Sequence, residues 1–300
     1  MNPALVALNF ALVYVLWGST YLGIQVVVTE HIPPATMGAL RFTIAGSILL
    51  AVSALTGRKI LLPASALFRL GIIGVLLLTC GNVVLGWAEM YIPSGLAALL
   101  IATVPLWMAL WARFVFRGEQ LTAKAIVGLL LGLLGIVVLV WPKLATQSNG
   151  ESHMWFGSSI VFVSALSWSF GSVLSHQWSP AVETDVFVAA AWQMLIAGLV
   201  NTIIAFALGD HHTIVWTQKG VVALIYLIVA GSLIAYTSYI WLLKNVATSK
   251  VSTYAYVNPI VAVFLGWLVL GESVDSFVFI GAAVIVASVS LVTTSKVKSN

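Results

Sequence analysis

One spacing occurs twice in this 300-residue chain. Trp87 stands 18 residues before Pro105, and Trp241 stands 18 residues before Pro259. Gly118-Glu119 follows the first proline and Gly271-Glu272 the second, and nine residues after each glutamate a glycine (Gly128, Gly281) opens another apolar run. A pattern repeated in order and spacing at an interval of about 150 residues marks a duplicated unit. Whatever one half folds into, the other half folds into as well, and the two must pack on each other.

Composition decides what each half forms. The chain is 61% hydrophobic and 7% charged, against roughly 25% charged in a soluble domain. With so little polar surface it cannot cover its apolar residues in water, so it is an integral membrane protein. Apolar runs of the bilayer-crossing length of about 20 residues lie at 5–28, 33–55, 67–89, 94–116 and 122–141. After a polar break they return at 155–176, 184–208, 218–242, 249–270 and 276–294. The expected fold is an all-α membrane protein with ten transmembrane helices. The first five-helix repeat covers 1–141, a connecting loop 142–154, the second repeat 155–294, and a cytoplasmic tail 295–300. Pro33, Pro34, Pro63, Pro93, Pro142 and Pro180 fall at junctions, where helices start or stop; only Pro105 and Pro259 fall inside spans. The first run, from near Leu5, has no basic region or cleavage site ahead of it and reads as a retained helix. The single cysteine, Cys80, excludes an internal disulfide or a cysteine metal cluster.

Basic residues orient the spans. Ten helices put both termini on one side. The loops and tail of that side hold Arg58, Lys59, Arg69, Arg113, Arg117, Lys124, Lys244, Lys250, Lys296 and Lys298, and the opposite loops hold Lys143 and Lys219. The positive-inside rule then makes both termini cytoplasmic. Five helices is an odd number, so the second repeat enters the membrane upside down relative to the first. Inverted repeats around a central cavity are the architecture of alternating-access transporters.

Several short motifs follow one another in a fixed order. They are Trp17-Gly18-Ser19-Thr20-Tyr21, Leu40-Arg41-Phe42, Val104-Pro105 with Gly118-Glu119, Trp192-Gln193-Met194, and Tyr254-Ala255-Tyr256-Val257-Asn258-Pro259 with Gly271-Glu272. In this the chain resembles the EamA-type drug/metabolite transporters, and within them a YedA-like subgroup, over nearly its whole length. The resemblance implies a ten-helix fold with a central cavity, and export of small metabolites or drugs by secondary transport. It leaves the substrate open among amino acids, their derivatives and unrelated compounds.

Candidate cavity residues come from polar and aromatic stripes, since a lipid-facing surface is Leu, Ile, Val and Phe. Tyr14, Trp17, Gly18, Tyr21 and Gln25 share one stripe of the first span, and Ser164, Ser167, Trp168, Gly171, Ser172 and Ser175 one stripe of the sixth. Trp192, Gln193, Tyr236, Tyr239, Tyr254, Tyr256 and Asn258 extend the set. Tyr and Trp offer flat apolar faces with one polar handle, suited to an amphipathic solute; helix packing is the alternative for the small residues. Repeat two carries Tyr254, Tyr256 and Asn258 where repeat one has Leu100, Ala102 and Val104. The substrate is therefore expected nearer the second repeat.

Arg41 is the one basic residue well inside a span. It either snorkels or pairs with Glu89, or clamps a substrate carboxylate. Pro105 and Pro259 are static kinks or hinges of the transport cycle. No carboxylate lies near the middle of a span, and Glu89 is the nearest candidate for a proton-coupling group, while Glu119 and Glu272 read as interfacial residues favoured at helix starts. Gly128, Gly132, Gly135, Gly281, Ala287 and Ser288 read as packing faces.

No metal-binding His-Glu-x-x-His, paired intramembrane aspartates or Walker loop occurs. The chain is therefore read as a transporter in the cell (plasma or inner) membrane rather than an enzyme, with no cofactor and no metal. Its partners are a small-molecule substrate and the lipid bilayer, with no nucleic acid, as a monomer or homodimer. The alternatives are a passive channel or facilitator and, less well supported by the residues, an intramembrane enzyme.

Overall fold

The structure, a computed structural model, describes residues 2–92, 97, 100–116, 119–120, 122–145, 151–270, 276–295 and 298–299. Pro93, Arg117, Gly118, Gly271, Glu272 and Lys296, named above, lie outside these residues. Apart from a two-residue antiparallel pairing of Glu119–Gln120 with Lys298–Ser299, the described elements are helical. They are α1 (Pro3–Thr29), α2 (Pro34–Leu55), α3 (Ala64–Ala88), α4 (Val104–Val115), α5 (Ala123–Ala145), α6 (Glu151–Val182), α7 (Val186–Leu208), α8 (Gln218–Asn245), α9 (Tyr254–Leu270) and α10 (Ser276–Thr294).

Six of them, α1, α2, α3, α6, α7 and α8, are each long and apolar enough to cross a bilayer, and shorter apolar helices occupy Val104–Val115, Ala123–Val138 and Phe279–Thr294. The outer surface belongs in lipid: Phe68, Ile203 and Phe279 are 70%, 69% and 69% exposed. A contiguous surface of this kind would aggregate in water. Local chemistry sets the ends. Asp185 caps α7 by accepting from Phe187 N at 2.9 Å, Gly209 closes that helix at φ 73°, and Thr217 caps α8 through Gly220 N at 3.0 Å. Two junctions differ from expectation. Pro142 lies inside α5, which runs on to Ala145. Pro180 lies inside α6, near its last residues, rather than at a helix end.

Helix contacts are closest where side chains vanish. In lipid there is no hydrophobic gain from bringing apolar helices together, so backbone approach through small residues takes its place. A Cβ built on Gly46 of α2 would stand 2.8 Å from Leu195 N of α7, and one built on Gly198 would stand 2.6 Å from Thr43 N. These contacts are reciprocal, because 43 and 46 are each 152 residues before 195 and 198. The same exchange joins α5 to α10. Ser288 Oγ donates to Gly128 O at 2.6 Å, and a Cβ on Gly135 would meet Gly281 O at 3.1 Å; 128 and 135 are 153 residues before 281 and 288. In both pairs the contact positions rise along one helix as they fall along the other, so the helices run antiparallel.

The backbone repeats the pattern. His31 after α1 and Glu183 after α6 are the two non-glycine residues with positive φ among those described (64° and 38°), and they too are 152 apart. Both α3 and α8 widen to π-helix in mid-course, at Val75–Val83 and Leu227–Tyr236. Such widening is rare and frequent at functional sites.

Gly46→Val should overpack the α2–α7 contact and lower stability by about 1–3 kcal/mol. Ala51→Val, on an exposed position of the same helix, should stay within about 0.5 kcal/mol. Thermal unfolding of the two purified variants in one detergent checks the difference.

Candidate functional site

These two π-helical segments face one cavity; a third such segment, Trp111–Val115 of α4, does not line it. It encloses about 630 Å³ of empty space, counting its mouth, and Leu78, Gly81 and Asn82 reach it from the first segment and Gly231 and Tyr236 from the second. α1 adds Trp17, Thr20, Tyr21 and Ile24, α2 adds Arg41 and Phe42, and α6 adds Ser164 and Trp168. Tyr254 and Asn258 of α9 complete it, with Leu85, Ile101 and Val104. The mixture of apolar walls and a few placed polar groups is typical of small-molecule sites.

Four aromatic rings close its inner end. Trp17, Trp168, Tyr239 and Tyr254 come from α1, α6, α8 and α9. Trp17 lies 5.4 Å from Trp168, 4.8 Å from Tyr239 and 5.2 Å from Tyr254, centroid to centroid. Edge-on and tilted geometries of this kind are the favoured aromatic contacts. Hydrogen bonds hold the rings: Trp17 Nε1 donates to Gly231 O (3.1 Å), Trp168 Nε1 to Tyr239 OH (3.2 Å), and Tyr239 OH shares a proton with Ser172 Oγ (2.6 Å).

A second cavity of about 370 Å³ lies beyond this partition, lined by Leu70, Ile73, Ser175, Gln193, Ile240 and Lys244 among others. The two are stacked along shared helices. On α3 the second cavity meets Leu70 and Ile73 and the first meets Leu78 to Leu85; on α6 the first meets Ser164 and Trp168 and the second Ser175 to Val182; on α8 the first meets Gly231 and Tyr236 and the second Ile240 and Lys244. One hydrogen bond spans the boundary. Tyr236, on the wall of the first, donates its hydroxyl to Oε1 of Gln193, on the wall of the second, at 2.6 Å.

Of the residues expected from sequence, the structure brings Trp17, Tyr21, Arg41, Trp168, Tyr236, Tyr254 and Asn258 to the first cavity. Tyr239 is fully buried beneath them. Asn258, with its amide turned to satisfy both groups, donates to Tyr14 O (3.2 Å) and Tyr254 O (3.1 Å). Tyr14 lies beside the cavity, its hydroxyl 2.6 Å from Thr253 Oγ1, and Trp192 ties α7 to the loop after α2 through Ile60 O at 3.0 Å. Tyr256 goes elsewhere. Its hydroxyl donates to Leu129 O of α5 at 2.9 Å, because two residues on a helix lie about 200° apart, so Tyr254 and Tyr256 cannot share a face.

Sequence reasoning passed over Asn82, which together with Ser232 holds Arg41: its Nε donates to Ser232 Oγ (2.8 Å) and its Nη1 to Asn82 Oδ1 (3.3 Å). The available signal was the repeat itself, since Asn82 is 154 residues before Tyr236, the same interval that separates Trp87 from Trp241. Arg41 and Gln193, at matched positions, thus take matched partners. The ion pair of Arg41 with Glu89 does not form; among the described residues the salt bridge is Arg58 Nε–Asp185 Oδ1, at 3.2 Å. Glu89 follows α3, and its Oε1 is buried with no partner among the described residues.

Pro105 is not in mid-helix: it begins α4, just after a turn at Ala102–Thr103. Pro259 lies in the second turn of α9, after a turn at Ser252–Thr253 that follows the single helical turn Thr248–Val251. Both prolines thus follow a break in a helical stretch that borders the cavity. Among the described residues no group of three His, Cys, Asp or Glu side chains is placed to hold a metal.

Comparison with known proteins adds the family. The EamA-like transporter family profile matches twice, over residues 4–141 and 155–294. The chain is 38% identical over 288 residues to the inner membrane transporter YedA of Escherichia coli K12, covering 96% of this chain and 90% of the relative. It is 28% identical over 282 residues to the protein PecM of Dickeya dadantii, covering 92% and 88%. A solved crystal structure superposes with a TM-score of 0.80 at 21% identity over 97% of both chains, which is a likeness of fold alone.

Tyr236→Phe should leave Gln193 Oε1 buried without its donor and destabilise the protein by about 1–3 kcal/mol. Tyr14→Phe, at the half-buried Thr253 contact, should cost about 1 kcal/mol or less. Thermal melts of the two variants in the same detergent give the ordering.

Proposed function

The chain belongs to the EamA-like transporter family, and on that footing we propose that it is a secondary active transporter that exports small amphipathic metabolites, such as amino acids or their derivatives, or drugs, by alternating access. It is a multi-pass membrane protein whose relatives are named as transporters, which favours a carrier over an enzyme. The observation that carries the mechanism is the pair of cavities stacked along α3, α6 and α8 and divided by the aromatic partition and the Tyr236–Gln193 hydrogen bond. A carrier must offer its site to one side at a time, and a thin partition between two stacked cavities is where such a switch would act.

The proposed topology is ten spans in two inverted repeats, 1–141 and 155–294, both termini cytoplasmic. The reciprocal antiparallel contacts of α2 with α7 and α5 with α10 support it. Exchanged contacts between antiparallel helices imply a two-fold axis across the helices, and an axis so placed turns one repeat upside down. Contacts between connections support it as well. Arg58 pairs with Asp185 and Lys244 donates to Thr184 O (2.8 Å), all in connections assigned to the cytoplasmic side. On the other side Thr217 donates to Glu30 (2.5 Å) and Thr36 to Asp210 (3.2 Å).

Within this reading Trp17, Tyr21, Arg41, Trp168, Tyr236, Tyr239, Tyr254 and Asn258 form or support the substrate site. Tyr14, Trp192, Gln193 and Tyr256 brace the helices that carry it. The breaks before Pro105 and Pro259 serve as hinges, and the unpartnered carboxylate oxygen of Glu89 makes it the group proposed for proton coupling.

Reconstitution tests the proposal. Purified protein in liposomes preloaded with a solute should show saturable, trans-stimulated counterflow, and Trp168→Ala should cut that flux tenfold or more while the protein stays folded. Solute flux that never saturates and shows no trans-stimulation would mean a channel. Glu89→Gln should abolish accumulation against a gradient while leaving exchange; accumulation by this variant would remove Glu89 as the coupling group. For topology, Cys80→Ser gives a cysteine-free background. In intact cells Lys59→Cys should resist, and His212→Cys should accept, a membrane-impermeant maleimide.

A further inference from the structure

Arg41 is 3% exposed and lines the first cavity, yet both of its side-chain hydrogen-bond partners are neutral. Its Nε donates to Ser232 Oγ and its Nη1 to Asn82 Oδ1. A guanidinium has five N–H donors in a planar fork, and no carboxylate among the described residues lies within 4.0 Å of it. A cation held in a span without a counter-ion is costly unless something supplies the negative charge.

Room for the fork itself is kept open on the cavity wall. A Cβ built on Gly231 would stand 2.6 Å from Arg41 Nη2. Any larger residue at 231 would therefore crowd the fork, and Gly231 itself lines the cavity. Polar groups such as Ser164 and Asn258 also line it, but its apolar and aromatic walls include Trp17, Phe42, Leu78, Ile101, Trp168 and Tyr254. They suit a flat apolar body and would gain nothing from a small hydrated ion.

We propose that the occupant of this cavity is an organic monoanion: a carboxylate held by Arg41, carried on a flat apolar or aromatic body that lies against Trp17, Trp168 and Tyr254. The carboxylate supplies the missing counter-charge, and the guanidinium fork matches its geometry in two parallel hydrogen bonds. Gln193, the matched position in the other half, is neutral and already accepts from Tyr236, so only one end of the solute is gripped by charge. This inference rests on the transporter reading above and narrows its substrates to acids.

Three probes that share one ring and differ in charge test it: phenylacetate, benzyl alcohol and phenethylamine. Titration calorimetry on the full-length purified protein should find phenylacetate bound at least tenfold more tightly than the other two, with sodium chloride alone giving no competing binding. Arg41→Gln should weaken phenylacetate by on the order of tenfold or more and leave benzyl alcohol unchanged. Arg41→Lys should recover only part, because an ammonium cannot fork. Gly231→Ala keeps the charge but displaces the fork, and it should weaken phenylacetate too. It and Arg41→Lys carry the test if Arg41→Gln does not fold.

Failure of wild-type protein to bind phenylacetate, equal or tighter binding of the amine or the alcohol, full competition by chloride, or a phenylacetate affinity untouched by all three variants would each overturn the proposal. Counterflow of the same probes separates this from the broader reading. Saturable exchange of the amine or the alcohol but not of the acid defeats the anion and leaves a transporter standing; no saturable exchange of any charge class defeats both.

Discussion

Four glycines set the spacing of the whole bundle. At Gly46 and Gly198 the backbones of α2 and α7 come close enough that a single methyl group would collide with a peptide nitrogen, and Gly128 and Gly135 bring α5 onto α10 in the same way. In water two such helices would be pressed together by their apolar surfaces. In lipid that drive is missing, and the dispersion gained by close backbones replaces it. The α2–α7 contact bears on the cavities directly, because α2 carries Arg41 and α7 carries Gln193. The reciprocity of the contacts is economical as well: one duplicated sequence supplies both sides of each interface.

Symmetry of the frame makes differences at matched positions easy to see. Arg41 meets Asn82 and Gln193 meets Tyr236, so the repeat preserves who touches whom while changing the chemistry. One half thereby gains a positive charge on a cavity wall, and the other gains a neutral hydrogen bond within a partition. The π-helical segments of α3 and α8 face the same cavity and widen the backbone at matched places. A wider turn shifts the register of the side chains that follow, which is how Asn82 and Gly231 come to the same cavity as residues from five other helices.

Parts of this were legible beforehand for identifiable reasons. Trp17, Tyr21, Arg41, Trp168 and Asn258 are polar or aromatic groups in apolar spans, where lipid exposure is costly, so an inward direction follows from the residue type alone. Tyr256 was misleading because proximity in sequence was taken for proximity in space, and a helix turns residues two positions apart to different sides. Pro105 was expected to kink a continuous helix but starts one, since a proline in the first turn gives up a donor that has no partner there in any case. Asn82 was overlooked because a single Asn in an apolar run carries no pattern of its own; its meaning comes from its match with Tyr236 in the repeat and from Arg41, 41 residues away.

Taken alone, the amino-acid sequence determined the solvent, the helical class, the duplication and the family. Each of these depends on composition or on periodic spacing, which are properties of the chain by itself. The tertiary structure decided which stripes meet, where the cavity is divided, and that Arg41 finds Ser232 and Asn82 rather than Glu89. Those outcomes depend on helix rotation and depth, and these are set by packing between segments far apart in sequence, down to the absence of one side chain at Gly231.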